Sequence, residues 1–259
     1  MNESDEIFNQ SSRLLTGVIY REVKKYPAFV HLKSFFNDGW YNFLVPTIPA
    51  KDFPWSQATG VVESEAKLGY EVSFYIHSSF LADYQPVLKE RGHEKIGSEV
   101  YMVKTLDKPF QNIICEYENV TNTNIDLFVN LAKMCFPDWD NNEEYSRYFH
   151  KLSKTSVDPN VKNFISKSGT DTVGFGGVVI SRKLRLAYLH NTGVLESFRR
   201  RGFYSDLVRY RCNKSLELGV SEVFALVEEN SESYHGLEKL GFRPEETYYL
   251  FCNDLKHEP

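Results

Sequence analysis

Residues 194–208 read VLESFRRRGFYSDLV, an apolar strand end followed by three arginines, a glycine and the start of an amphipathic stretch. The chain of 259 residues carries a net charge of -5 and has a pI near 5.9, so this basic cluster is a local device and not part of a basic face. Nucleic-acid binding, which needs such a face, is not expected. A helix opening at Arg201 presents unpaired N–H groups and a partial positive charge to whatever lies ahead of it. Gly202 lets the backbone come close to a ligand, and an anion of the pyrophosphate kind suits such a turn.

The composition, 42% hydrophobic and 25% charged, is that of a globular chain with a sizeable core. No apolar run is long enough to cross a membrane, and the start, MNESDEIFNQ, lacks the basic and apolar regions of a signal peptide, so the expected location is the cytoplasm. Cys115, Cys135, Cys212 and Cys252 are far apart and form no metal-ligand spacing; reduced, partly buried thiols and no metal are expected.

Laid against itself at a shift of about 150 residues, the chain repeats a pattern. KLGYEVSFYIHSSFLADYQPVLKERGHEKIGSEVYMV (67–103) and ELGVSEVFALVEENSESYHGLEKLGFRPEETYYLF (217–251) each read as a helix end, a strand, a short helix and a strand. Gly69, Gly92, Gly219 and Gly241 stand where left-handed glycines stop helices. Two related domains are expected, 1–109 and 110–259, with the boundary at the charged turn before Pro109. The first opens with a helix over 6–26. The second runs as a strand over 111–117, a helix over 124–135, a helix over 143–153, strands over 161–167, 172–180 and 185–195, and a helix over 201–218. The fold class is α/β with mixed character: a mixed central sheet flanked by helices.

With these elements in order, residues 194–207 resemble the acetyl-CoA motif of the GNAT N-acetyltransferase superfamily, roughly V-x4-[RQ]-x2-G-x-[GA]-x2-L. Asn230 and Leu240-Gly241-Phe242 follow at the family's spacing. The resemblance implies a GNAT-like domain at 110–259, a degenerate partial copy at 1–109, and transfer of an acetyl group from acetyl-CoA to the primary amine of a small-molecule or peptide acceptor by direct attack. It implies that Val194, Leu195, Arg199, Arg200, Arg201, Gly202, Phe203, Tyr204 and Asn230 bind the CoA, the turn from Arg199 to Tyr204 holding its pyrophosphate and the strand end at Val194 its pantetheine arm. The alternative reading is a catalytically weak acyl-CoA-binding regulatory module.

Two departures bear on the chemistry. Tyr204 replaces the second small residue of the motif, and Leu237 stands where many members have a tyrosine that protonates the leaving thiolate. Tyr234, one helical turn earlier, is a candidate acid or an ordinary packing tyrosine. The base carboxylate of some members would fall at Tyr188. His190, on the same face of a strand as Tyr188, Thr192 and Val194 by period-two alternation, is a candidate base or a structural histidine, with Glu196 a weaker candidate. The acid-rich loop Phe136–Glu144 is expected to border the acceptor. Trp40, Tyr41, Phe53 and Trp55 are candidate cleft walls or core residues.

Overall fold

The structure, a computed structural model, describes residues 5–136 and 160–253. The second expected helix, 143–153, and the acidic loop after Phe136 lie outside the described residues. The chain forms two compact units. One holds the residues up to Tyr101 with Val227–Glu229 and the chain from Pro244 onward; the other holds Met102–Leu226 and Asn230–Arg243. The division thus falls ahead of the expected boundary at Pro109, and the C-terminal segment joins the first unit and not the second.

In the first unit, helix α1 (Asp5–Leu15) ends well short of the expected Tyr26, because Gly17 turns left-handed at φ 88° and β1 (Tyr20–Lys25) begins. Strands β2 (Phe29–Ser34) and β3 (Phe43–Pro46), helix α2 (Trp55–Lys67), β4 (Ser73–His77), α3 (Leu81–Glu90) and β5 (His93–Thr105) follow. The last strand of the chain, β11 (Arg243–Asn253), lies between β4 and β5, giving the order β1-β2-β3-β4-β11-β5. It pairs antiparallel with β4, Tyr248 opposite His77 and Phe251 opposite Phe74; this pairing carries the C-terminal residues into the first unit.

Successive residues of β4 point to opposite faces. Phe74 and Ile76 join Phe29, Phe53, Tyr84 and Leu88 in one apolar cluster, with Trp55 packed on it, so Phe53 and Trp55 are core residues of this unit. Tyr75, on the other face, stacks on Tyr248 at 4.4 Å and donates to Glu99 Oε2 at 2.9 Å. Phe8 of α1 covers Tyr248. The Glu99 carboxyl is pushed up to about 7, chiefly by burial.

The second unit begins its sheet at β6 (Glu116–Asn119), shorter and later than the expected strand. It continues through α4 (Ile125–Cys135), β7 (Val161–Ser168), β8 (Asp171–Ser181), β9 (Leu186–Val194), α5 (Phe203–Glu217), β10 (Glu222–Val227) and α6 (Glu232–Lys239). The order β10-β9-β8-β7-β6 is mixed: β9 and β10 are parallel and the other neighbours antiparallel. Helix α4 packs on one face, Phe128 against Phe175. Helix α5 packs on the other, where a side chain at Gly176 would meet Leu207 and Arg211 at 3.2 Å.

Candidate active site

The pairing of β9 with β10 runs only from Leu186 opposite Glu222 to Tyr188 opposite Phe224. Beyond it, β9 changes course: Asn191 takes a left-handed φ of 47°, and the β8 register slips between Phe175 and Gly177. These are the marks of a bulge, which bends a strand and resets which face its side chains occupy. The freed end of β9, Thr192–Val194, borders a cavity of about 920 Å³. Its other walls are Cys135 and Phe136 at the end of α4, the turn from Glu196 to Ser205, and α6 from Glu232 to Lys239.

The turn is built from backbone conformations of alternating hand. Arg199 is extended (φ -63°, ψ 159°), Arg200 is left-handed at φ 59°, and Gly202 is left-handed at φ 86°. The first N–H of α5 to find a carbonyl is that of Asp206, which donates to Gly202 O at 3.0 Å. The N–H groups from Arg200 to Ser205 take no hydrogen bond among the described residues. Such an array, at the positive end of a helix dipole, has the donors and the partial charge that suit an anion.

Of the expected CoA residues, Val194, Arg199, Arg200, Gly202 and Tyr204 line the cavity together. The others do not. Leu195 spends its N–H on Val173 O at 3.0 Å, and Phe203 is buried in an apolar cluster with Cys115, Val173 and Val194. The Arg201 guanidinium lies over the rings of Phe198 and Phe203, and Asn230 is exposed outside the cavity. Arg199 braces the main chain: its Nε donates to Val194 O at 3.2 Å and its Nη2 to Cys135 O at 3.4 Å. All three arginines are exposed, and Arg199 and Arg200 stand on the cavity wall.

The candidate acid and base are placed differently from expectation. His190 is 1% exposed and absent from the cavity wall. Its ring lies against Gly177 and Asn163, both ring nitrogens lack a hydrogen-bond partner, and burial first, then Arg211, pushes its pKa down to about 3. Burial thus holds the imidazole neutral and away from the cavity wall. Tyr234 also stays off the cavity wall, and Leu237 is buried. Tyr204 is the tyrosine that lines it. Its hydroxyl donates to Ser233 O at 3.4 Å, and its ring fills the notch left by Gly236, where a Cβ would come within 2.8 Å of Tyr204 Cε1. Burial raises the Tyr204 pKa. Glu196, Glu232 and His235 supply carboxylates and an imidazole to the wall, and Lys239 a further cation.

Two charged groups of α5 have no counterpart in the sequence reading. Asp206, 2% exposed, accepts from Ile114 N (2.8 Å), Cys115 N (3.0 Å) and the Tyr117 hydroxyl (2.7 Å), fastening the chain ahead of β6 to the first turn of α5. Arg211, fully buried, donates to Leu207 O, Gly177 O, His190 O and Thr192 Oγ1. The signal for both was apolar spacing: each occupies a position among Leu207, Val208 and Cys212 on the buried face of the helix.

Among the described residues, no group of three or more His, Cys, Asp or Glu side chains could hold a metal, and no helix is long and apolar enough to cross a membrane. Residues 125–242 match the acetyltransferase (GNAT) family. No curated protein matches the chain in sequence. Among solved structures, the chain is similar to a GCN5-related N-acetyltransferase from Kribbella flavida, with a TM-score of 0.70, 14% identity, and coverage of 100% of this chain and 98% of that one. It is similar to a GCN5-related N-acetyltransferase from Sphaerobacter thermophilus (TM-score 0.62, 14% identity, 86% and 76% covered). A tandem GNAT protein from the clavulanic acid biosynthesis pathway is also similar (TM-score 0.53, 11% identity, 86% and 78% covered). At these identities the structural likeness speaks for the fold; the family match adds the chemistry. Residues 125–242 are thus similar to the acetyltransferase (GNAT) family on a GNAT-like fold, and the chain is an acyltransferase.

Proposed function

We propose that the second unit binds acetyl-CoA in the cavity between β9, α5 and α6 and transfers its acetyl group to the primary amine of a small-molecule or peptide acceptor, in the cytoplasm. The observation that carries this reading is the unpaired N–H array from Arg200 to Ser205, set beside the Arg200 guanidinium at the cavity mouth. A pyrophosphate fits it by charge and by hydrogen-bond number.

Direct attack of an amine on a thioester needs no metal. Holding the two reactants together is worth up to roughly 7–11 kcal/mol, and a proton-transfer group adds about 10²–10⁴-fold. Glu196, Glu232 and His235 are the wall residues able to take the proton of the amine, and Tyr204 is the hydroxyl able to return one to sulfur. The sequence candidates His190 and Tyr234 are assigned packing roles. Among its described residues the first unit carries no turn like that of 199–204, so one acetyl-CoA per chain is proposed. A binding module without turnover is the second reading, favoured by Leu237 at the usual position of the acid.

Gly202→Glu places a carboxylate where the backbone must meet an anion. Calorimetry should show acetyl-CoA affinity lost in the variant and a stoichiometry near one in the wild type; unchanged affinity in the variant refutes the site. Amine-dependent release of CoA thiol, assayed over polyamines, amino acids, aminoglycosides and peptide N-termini, separates the enzyme from the binding module.

A further inference from the structure

Thr192 lines the cavity, and its Oγ1 accepts a hydrogen bond of 2.6 Å from Arg211 Nη2. Arg211 is 0% exposed, and its remaining bonds go to main-chain oxygens: Nε to Leu207 at 3.2 Å, Nη1 to Gly177 at 2.9 Å and to His190 at 3.1 Å. No carboxylate pairs with it among the described residues; Asp206, the acid on the buried face of the same helix, is taken up by Ile114, Cys115 and Tyr117. A buried guanidinium without a counter-charge is costly, and space is made for it: a side chain at Gly176 would meet its Cζ at 3.2 Å.

A hydroxyl has one proton and two lone pairs. With the guanidinium on its lone-pair side, the Thr192 proton points elsewhere, and no group among the described residues takes it. The cation polarises that O–H, which therefore favours an oxygen gaining negative charge in the cavity.

Aminolysis of a thioester produces such an oxygen. The amine lone pair forms the C–N bond while the carbonyl π pair moves onto oxygen. That pair then returns as the C–S bond breaks, sulfur leaves with the bonding pair as thiolate, and the proton shed by the ammonium passes through a wall base or water to the sulfur. We propose that Thr192 Oγ1–H donates to the thioester carbonyl oxygen and to the oxyanion it becomes, and that Arg211 is the positioning residue that orients and polarises it. The proposal rests on the cavity being the acyl-donor site. The Asn191 bulge is what brings Thr192 there: His190, two residues earlier, faces Gly177 on the opposite side of the sheet from Arg211.

The test uses the full chain and acetyl-CoA carrying ¹³C at the thioester carbonyl. A donor to that oxygen lowers its infrared stretching frequency relative to free acetyl-CoA. The wild type and Thr192→Ser should show the lowered band and Arg211→Lys a smaller lowering. Thr192→Val should return the band to its free position without loss of calorimetric affinity. With methylamine as the acceptor, Thr192→Val should lower kcat by about 100-fold at unchanged KM for acetyl-CoA, the loss found when an oxyanion donor is removed. If Thr192→Val fails to fold by circular dichroism, Thr192→Ala takes its place. Equal carbonyl frequencies in wild type and the hydroxyl-free variant overturn the proposal while leaving the acetyl-CoA site standing. Failure of the wild type to bind acetyl-CoA refutes the site itself, and the proposal with it.

Discussion

Asp206 offers the most sharply quantified test of how the second unit is held together. Its Oδ1 receives the Ile114 N–H, and its Oδ2 receives the Cys115 N–H and the Tyr117 hydroxyl, at 2.7–3.0 Å. In Asp206→Asn the shape is kept, but one carboxylate oxygen becomes an NH₂. The best orientation leaves the oxygen facing Cys115 and Tyr117 and turns the NH₂ against the Ile114 N–H, two donors face to face. Hydrogen bonds to charged groups are worth about 1.5–3 kcal/mol, so the loss of one bond and the weakening of the other two should cost about 2–4 kcal/mol. For a unit of this size that is a fall in Tm of roughly 4–16 °C. Asp206→Ala, which strands all the donors, should cost more, and Tyr117→Phe, which removes a single part-buried donor to the carboxylate, about 1.5–3 kcal/mol. Thermal unfolding followed by circular dichroism measures the series. In the double variant Asp206→Asn/Tyr117→Phe the two losses should fail to add. If Asp206→Asn melts within a degree of the wild type, or the losses add, the carboxylate does not hold the chain ahead of β6 as described.

Glu99→Gln tests the buried carboxyl of the first unit. Its folded pKa of about 7 lies above the ordinary carboxyl value of 4.5, so the folded state retains a proton that the unfolded state releases. Its contribution is fully present below pH 4.5 and lost as pH rises to about 7, a ceiling of about 3 kcal/mol at about 1.4 kcal/mol per pKa unit. The Tm difference between Glu99→Gln and wild type should therefore grow from pH 4.5 to 7 and level off above; a constant difference refutes the shift. At the cavity, Tyr204→Phe should lower amine acetylation with little change in acetyl-CoA affinity, and Tyr234→Phe should change neither; the reverse ranking in steady-state kinetics restores Tyr234 as the acid.

Much of the architecture was legible because it is written in local chemistry. Gly69, Gly92, Gly219 and Gly241 all adopt φ between 80° and 85° at helix ends, as their Leu-Gly and charged contexts indicated. Both repeats fold as strand, helix and strand. The turn at 199–202 was readable for a similar reason: a glycine after three arginines, at the junction of a strand and a helix, marks a place where the backbone can approach an anion. What escaped depends on partners distant in sequence. The chain before β6 is held by Asp206 and by Asn213, which bonds both N and O of Phe110; nothing within 110–117 reports this. His190 was misplaced because period-two counting assumes an unbroken strand. The Asn191 bulge shifts the phase, so Thr192 and not His190 reaches the cavity. Arg211 went unread because its partners are main-chain carbonyl oxygens and one hydroxyl, which leave no mark in composition.

The place of β11 between β4 and β5 has a consequence for the making of the protein. Nearly all of the first unit is translated before the second begins, yet its sheet has a vacant slot until residues 243–253 appear. At about 5–20 residues per second, the roughly 140 residues between the end of β5 and the start of β11 hold that slot open for about 7–28 seconds. During that interval β4 and β5 each present an unpaired edge, with Phe74 and Tyr75 on β4 awaiting the strand that covers them. The unit made first is therefore completed last, and a nascent chain stalled before Arg243 is left with its most adhesive strands exposed.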